Sequence, residues 1–250
     1  MRGSQLVDVV AAAYPASQNG TVKRLASGPR VDYDLGETTQ FADRPQYNFS
    51  GAWSLAIAFD LDALTSYTAL LDHSQTTTLN GFEIRLGSGG SDSRVHVVRK
   101  AASTYRAHTG TADKFAAATV DNVLVVVFPD GQVGTEPVAY WAAGSETLTR
   151  SGTDATDLQG ATTNNLIFAG RTGGTTSLDG AIKMAHFFDV ALSPTEARAL
   201  VRNITSIYAP ANDAPFLLPG AAPGGVPVLT APYATVTGPT SATVGFQVAF

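Results

Sequence analysis

The sequence predicts an all-β protein built as an antiparallel sandwich of two sheets. Between residues 52 and 188, short apolar runs recur with a period of two, which is the alternation typical of half-buried strands. Turn signals rich in Gly, Asn and Asp separate the runs, and no long helical pattern alternates with them. Charged residues are 15% of the 250-residue chain, below the roughly 25% of an average domain, which also favours a sheet-rich module.

The apolar runs define the predicted strands. In chain order they are Leu55-Ile57-Phe59, Phe82-Ile84-Leu86, Val95-Val97, Val123 to Phe128, Leu166-Phe168 and Ile182-Met184. The breaks between them are Asn80-Gly81, Gly87-Ser88-Gly89-Gly90, Asp130-Gly131, Gly173-Gly174 and Asp179-Gly180. The large aromatic residues Trp53, Phe59 and Phe168 are predicted to lie in the core.

The last predicted strand of the sandwich follows a turn signal. Asp179-Gly180 has turn chemistry, because Gly accepts positive φ and Asp can bond its own backbone. Ile182, Met184 and His186 then fall at alternate positions, so we expect them to share one face of a half-buried strand.

A capped helix follows this strand. Ser193 is the predicted N-cap, Pro194 occupies the first helical position, and Glu196 stands three residues after the serine. This spacing predicts a capping box, in which two backbone amides are satisfied reciprocally. The side chains expected to seal one edge of the sandwich are those of Ala197, Leu200 and Val201.

The composition changes after the helix, which predicts three parts: a sandwich over residues 1–207, a linker over 208–226 and a tail over 227–250. The linker is rich in Pro and Gly, and the tail resumes strand alternation. Two strands cannot bury a core alone, so we expect the tail to add to a sheet of a partner chain. The predicted anchor residues are Val244, Phe246, Val248 and Phe250.

The chain from about residue 19 to residue 203 resembles laminin-G-like modules of the concanavalin A-like jelly-roll superfamily. The matching segments are Asn19-Gly20-Thr21-Val22, residues 47–59, 121–128, 139–144 and 165–171, and the run from Asp179-Gly180 through Ala191-Leu192-Ser193 to Glu196-Ala197. The resemblance implies a two-sheet jelly-roll sandwich with one short C-terminal helix and a strand-forming tail.

The tail resembles those that follow such modules in virion proteins of tailed bacteriophages. This resemblance implies a non-enzymatic structural or adhesive component of the phage particle surface: a decoration, fibre or tail-associated protein. Its expected partners are other virion proteins and a host-surface glycan, in a homo-oligomer or multicopy assembly. Two alternatives are a free carbohydrate-binding lectin module and a degenerate glycan hydrolase.

No catalytic residue is assigned from the sequence. Glycan hydrolases of this superfamily carry paired carboxylates as E-x-D-x-E, and this pattern is missing. Asp60-Leu61-Asp62 is interpreted as a surface turn. No G-x-S-x-G elbow occurs, and His73, His96, His108 and His186 lack metal-ligand spacing. We therefore expect no enzymatic activity and no organic cofactor.

Calcium is a candidate ligand because laminin-G-like modules often hold it at one rim with Asp or Asn oxygens. The rim candidates are Asp72, Asp92, Asp154 and Asp157, although no loop has a dense D-x-D-x-D pattern. His73 and His108 are expected near loops.

Exposed aromatic rings are the candidate glycan contacts, since flat rings stack on the apolar face of a pyranose. Tyr105, Tyr140 and Trp141 are expected near loops or at exposed strand positions. The net charge of −5 and the scattered basic residues argue against nucleic acid, and no apolar run is long enough to span a membrane.

Overall fold

The computed structural model describes residues 16–19, 23–24, 31–33, 38–41, 47–74, 80–87, 92–101, 104–152, 156–162, 166–171, 177–204, 228–236 and 242–249. The chain divides into two compact units, Met1–Ile204 and Thr205–Phe250. Within the described residues, no helix is both long enough and apolar enough to cross a membrane.

The first unit contains seventeen described strands and one helix. The strands are β1 (Ala16–Asn19), β2 (Lys23–Arg24), β3 (Val31–Tyr33), β4 (Thr38–Phe41), β5 (Tyr47–Asn48), β6 (Trp53–Ala63), β7 (Thr68–Asp72), β8 (Gly81–Leu86), β9 (Val95–Ala101), β10 (Thr104–Thr109), β11 (Thr119–Phe128), β12 (Val138–Trp141), β13 (Gly144–Thr147), β14 (Thr149–Arg150), β15 (Ala161–Thr162), β16 (Leu166–Phe168) and β17 (Asp179–Phe188). The helix is α1 (Pro194–Arg202).

The strands form two large antiparallel sheets, as the sequence predicts. In the described part of the chain, one sheet has the order β1-β4-β16-β7-β8-β9-β10-β14 and the other has the order β13-β12-β11-β6-β17-β3-β2. Strands β5 and β15 pair separately. The all-β sandwich class is therefore confirmed.

The core lies between the inner faces of the two sheets. Alternate residues of β6 and β11 meet those of β8 and β9, and Trp53 joins the layers with its ring 4.7 Å from that of Phe82. The same indole stacks on Phe128 at 3.8 Å. Trp53 and Phe59 are buried as predicted, whereas Phe168 is partly buried against this core. Truncating such an aromatic to Ala typically costs about 3–5 kcal/mol.

Strand β17 departs from simple alternation. Its register with β6 shifts between Ile182 and Met184, so Lys183 is inserted as a bulge. Ile182 belongs to the core. After the bulge, the residues of β17 that pack against the core are Ala185 and Phe187. The expectation that Ile182, Met184 and His186 share one face is therefore wrong, because the inserted residue reverses the side-chain alternation.

Gly180 has a backbone role inside β17 rather than in a turn. Asp179 and Gly180 both pair with β6, and the register shifts between them. Gly180 has φ +150°, and a Cβ on it would lie 2.1 Å from the carbonyl oxygen of Asp60. Gly180 thus lets β17 approach β6 closely. The predicted turn at Asp179-Gly180 is therefore wrong.

Helix α1 begins with the predicted capping box. The Ser193 side chain accepts from the backbone amide of Glu196, whose carboxylate accepts from the backbone amide of Ser193 at 2.8 Å. Ala197 and Leu200 are buried, and the helix packs against β11 and β12. This contact fixes α1 beside the β12–β13 hairpin.

The second unit contains the predicted strand-forming tail. Strands β18 (Val228–Val236) and β19 (Ala242–Ala249) form an antiparallel pair with a register shift before Pro232. Val244, Phe246 and Val248 fall at alternate positions of β19, whereas Phe250 lies outside the described residues.

Candidate functional site

A cavity of about 310 Å³ lies between the β12–β13 hairpin and α1. Its size is at the lower end of the roughly 300–1,000 Å³ of small-molecule sites. The residues that line it are Trp141, Ala142, Ala143, Gly144, Ser145, Arg198, Val201 and Arg202. The cavity therefore combines one indole, small hairpin residues and two guanidinium groups.

The hairpin places Trp141 at the cavity. Trp141 pairs with Gly144 across a tight turn formed by Ala142 and Ala143. A Cβ on Gly144 would lie 3.6 Å from the indole, so the ring lies directly against this glycine. Trp141 is half-buried against the core, which leaves part of the ring to line the cavity.

A charged pair holds the indole in place. The Lys114 ammonium lies 4.7 Å from the centroid of the Trp141 ring, within cation–π range. Glu146 Oε2 lies 3.0 Å from Lys114 Nζ and accepts a hydrogen bond from Thr111 Oγ1 at 3.0 Å. One face of the indole is thus covered by Lys114, so a ligand must approach the part of the ring that lines the cavity.

Arg198 and Arg202 form the helical wall of the cavity. They lie one turn apart on α1, and both are exposed. None of the described lining residues is acidic, and no described residue accepts a hydrogen bond from either guanidinium. The wall therefore offers free planar donors next to an aromatic ring.

The three predicted glycan contacts lie in different environments. Tyr105 is 50% exposed on β10 of the eight-stranded sheet. Tyr140 is 6% exposed on β12, so its expected place at an exposed strand position is wrong. It pairs with the buried Val125 in the strand layer that α1 packs against. Of the three residues, Trp141 is the one that lines the cavity.

A row of polar side chains that was not predicted lies on the outward face of the eight-stranded sheet. Glu83 and Arg85 alternate with the core residues of β8, and His96 and Lys100 do so in β9. All four are at most 8% exposed. This alternation of polar with apolar positions was the available sequence signal.

This polar row is hydrogen-bonded within itself. Arg85 donates to Glu83 Oε1 at 3.1 Å and to His96 Nε2 at 3.0 Å. Lys100 Nζ donates to Ser74 Oγ at 3.3 Å, and Ser74 Oγ donates to Asp72 Oδ1 at 2.7 Å. These bonds stabilise the sheet, and Arg85 Nε is the one buried donor of the row that has no hydrogen-bond partner among the described residues.

The carboxylates predicted to lie in a turn belong to a strand. Asp60 is buried within β6, where it accepts from the Asp121 amide at 2.7 Å and contacts Lys183 Nζ at 2.7 Å. Burial alone lowers the pKa of Lys183, but hydrogen bonds to Asp121 and Asp60 outweigh it and raise that pKa. Asp60 is therefore a paired structural carboxylate; Asp62 is also in β6 and is exposed.

The histidines near the predicted loops are buried. His108 lies inside β10 rather than in a loop, and its Nε2 donates to the Val133 carbonyl at 2.9 Å. Burial lowers the pKa of His108 to about 4. His73 directly follows β7, and its ring packs at 5.7 Å from Phe82. Neither ring is accessible to a ligand.

The calcium candidates do not form a shared set of ligands. Asp72 accepts from Ser74, Asp92 pairs with Arg94 at 2.7 Å, and Asp157 accepts from Thr104. Asp154 lies outside the described residues. In the part of the chain that the structure describes, no three acidic, His or Cys side chains cluster, so a calcium ion at this rim stays a prediction.

No family model and no curated protein matches the sequence. Among solved structures, the chain is similar to domain 4 of AbnA, a GH43 extracellular arabinanase from Geobacillus stearothermophilus, in complex with arabinotriose. The TM-score is 0.52 at 14% identity over 78% of this chain and 92% of that chain.

It is also similar to botulinum neurotoxin type C in a structure on its interaction with two ganglioside molecules. The TM-score is 0.56 at 10% identity over 78% of this chain. The binding domain of botulinum neurotoxin DC in complex with SialylT gives a TM-score of 0.53 at 11% identity over 76% of this chain. The matches span 48% and 47% of the toxin chains. These likenesses show the jelly-roll sandwich fold that the sequence resemblance implies.

Proposed function

We propose that this protein is a non-catalytic, lectin-like module that binds a glycan in the cavity between the β12–β13 hairpin and α1. The observation that carries the proposal is a half-buried indole beside two guanidinium groups that have no described partner. The polar row on the outward face of the eight-stranded sheet is the weaker candidate site, because its side chains are buried and bonded to one another.

The chemistry of the cavity suits a sugar. An indole stacks on the C–H face of a pyranose, and guanidinium N–H groups donate to sugar oxygens. Lys114 fixes the orientation of the indole before binding, which reduces the entropy lost on association. The complexes of the arabinanase domain with arabinotriose and of the toxin DC binding domain with SialylT support a sugar ligand for this sandwich.

We propose that the module does not cleave its glycan. A glycosidase needs two carboxylates that flank the scissile bond, and no acidic residue lines the cavity among the described residues. The buried Asp60 is neutralised by Lys183.

We also propose that the module belongs to the surface of a phage particle. The support is the resemblance to laminin-G-like virion proteins together with the separate two-stranded unit at residues 228–249. In this role the sandwich is displayed outward, and the tail pairs with another virion protein in a multicopy assembly.

A glycan array followed by calorimetry tests the binding function. We expect Trp141→Ala to weaken binding at least about tenfold, since an aromatic contact contributes on the order of 1.5 kcal/mol. Ala143→Gln, at an exposed turn residue that lines the cavity, should also weaken binding without removing core packing. Glycans recovered after incubation should be intact.

Tyr105→Ala is the matched control, because Tyr105 is an exposed aromatic residue on the other sheet. It should bind as the unchanged protein does. Dependence on Tyr105 and not on Trp141 would move the site to the eight-stranded sheet. An array without hits would refute glycan binding, and release of new reducing ends would refute the non-catalytic part.

A further inference from the structure

We infer that the cavity selects acidic glycans, those that carry a carboxylate or a sulfate, over neutral ones. This inference rests on the proposed glycan-binding function and names the ligand class of the same site. It is carried by the contrast between the two arginines of the cavity and the other arginines of the sandwich.

The other arginines whose side chains the structure describes all have an acceptor. Three of them pair with carboxylates: Arg85 with Glu83 at 3.1 Å, Arg94 with Asp92 at 2.7 Å and Arg171 with Glu83 at 3.7 Å. The other three donate to backbone carbonyls: Arg99 to that of Gln132, Arg106 to that of Tyr105 and Arg150 to that of Gly134. Arg198 and Arg202 are the exceptions within this described set.

Nearby acidic groups are already engaged elsewhere. Glu146 pairs with Lys114 at 3.0 Å and accepts a hydrogen bond from Thr111. Its negative charge therefore balances the Lys114 ammonium over the indole and not the arginines of α1. Glu196 shares α1 with the two arginines, but its carboxylate accepts from the Ser193 amide at 2.8 Å and hydroxyl at 2.7 Å. Among the described residues, the cavity wall therefore keeps two positive charges without a paired carboxylate, on a chain whose net charge is −5.

The spacing of the two arginines fits one anionic group. Side chains four residues apart on a helix lie about 5–6 Å apart, on the same face. Like charges at this spacing repel, and an anion between them relieves the repulsion. Guanidinium groups bind carboxylate and sulfate oxygens through paired N–H donors. With a volume of about 310 Å³, the cavity suits a single acidic sugar residue lying against Trp141.

The experiment compares glycans that differ in one group. The probes are neutral oligosaccharides on an array, each printed beside its uronic-acid-terminated and O-sulfated counterparts. Arg198→Gln, Arg202→Gln and the double variant remove the charge while keeping a hydrogen-bonding side chain. Arg94→Gln is the matched control, since Arg94 is a partly exposed arginine that is paired with Asp92 and lies outside the cavity.

We expect the hits to be acidic glycans, with affinity at least tenfold above the neutral counterparts. Each single variant should lower affinity for the acidic probe about three- to tenfold, and the double variant should abolish the preference. Affinity should fall between 50 and 300 mM NaCl. The carboxylated and sulfated arms show which anion is preferred.

Equal binding of neutral probes that still depends on Trp141 would overturn the acidic-ligand inference and leave the glycan-binding function standing. Loss of binding in Arg94→Gln equal to that in the cavity variants would overturn it as well. A single-stranded oligonucleotide is included as a second polyanion. If it bound more tightly than any acidic glycan, the acidic-glycan inference would be overturned. No hits on any arm would overturn both proposals.

Discussion

His96 illustrates how single residues in this fold are fixed by their neighbours. Arg85 Nη2 donates to His96 Nε2 at 3.0 Å, so Nε2 carries no proton. Nδ1 therefore carries the proton and donates to Thr109 Oγ1 at 2.8 Å. Burial, assisted by the positive charge of Arg85, lowers the pKa of His96 to about 3.

This environment predicts a pH dependence of stability. The unfolded state takes up a proton on His96 as pH falls below about 6.5, whereas the folded state resists until about pH 3. The stabilisation is therefore complete above about pH 6.5 and decreases as pH falls toward 3. In His96→Gln, the decline of the unfolding free energy between pH 6.5 and 4 should be shallower. Denaturant titrations across this range measure it, and equal slopes would contradict the assignment.

Arg99 marks the limit of sequence reasoning at the residue scale. It is fully buried, and its guanidinium donates to the carbonyls of Asp130, Gln132 and Thr135. Burial lowers its pKa to about 10. Its partners are these loop carbonyls and Gln159 Oε1, all more than thirty residues away along the chain. No local pattern reports such partners, and composition alone places an arginine at the surface.

Among elements, the start of the short helix was predictable because its signals are local. The capping box at Ser193 and Glu196 forms within four residues, so its spacing can be read from the sequence. The existence of strand β17 was predictable, but its start at Asp179-Gly180 and the sheet face that each side chain occupies were not. Its bulge at Lys183 depends on the pairing with β6, where Lys183 meets Asp60 and Asp121.

The capping box makes a direct stability prediction. Ser193→Ala removes the side-chain acceptor of the Glu196 amide and should lower the unfolding free energy by about 1 kcal/mol. Thr195→Ala, an exposed residue in the same first turn, is the control and should change it by less than about 0.5 kcal/mol. Chemical denaturation of both variants gives the comparison. An unchanged midpoint for Ser193→Ala would show that the cap does not stabilise the domain.

At the scale of the whole molecule, the sandwich was predictable from period-two alternation, whereas the cavity was only half predictable. Trp141 stood out as an aromatic residue in a hairpin. Arg198 and Arg202 did not, because they become part of a site only when α1 packs beside β12. Tyr140 was misplaced for the same reason: the helix lies against its strand layer.

The two-unit organisation leads to the prediction for the tail. The described strands of the second unit are β18 and β19, which pair with each other. A two-stranded sheet leaves unpaired backbone edges and is marginally stable alone, so such a unit is expected to pair with another chain. The Pro- and Gly-rich segment 208–226 lies outside the described residues, and we expect it to act as a tether.

Deleting residues 227–250 separates this anchor role from a role in the sandwich. We expect the truncated protein to keep its melting temperature and its glycan affinity, because the core and the cavity consist of residues within 33–202. It should lose self-assembly or attachment to particles, measured by light scattering and by co-sedimentation with virions. The substitution Phe246→Asp in the full chain tests the same anchor role without a deletion, and it should weaken attachment. Thr243→Ser is the control and should leave attachment unchanged. A lower melting temperature with attachment intact would show instead that the tail pairs with its own sandwich.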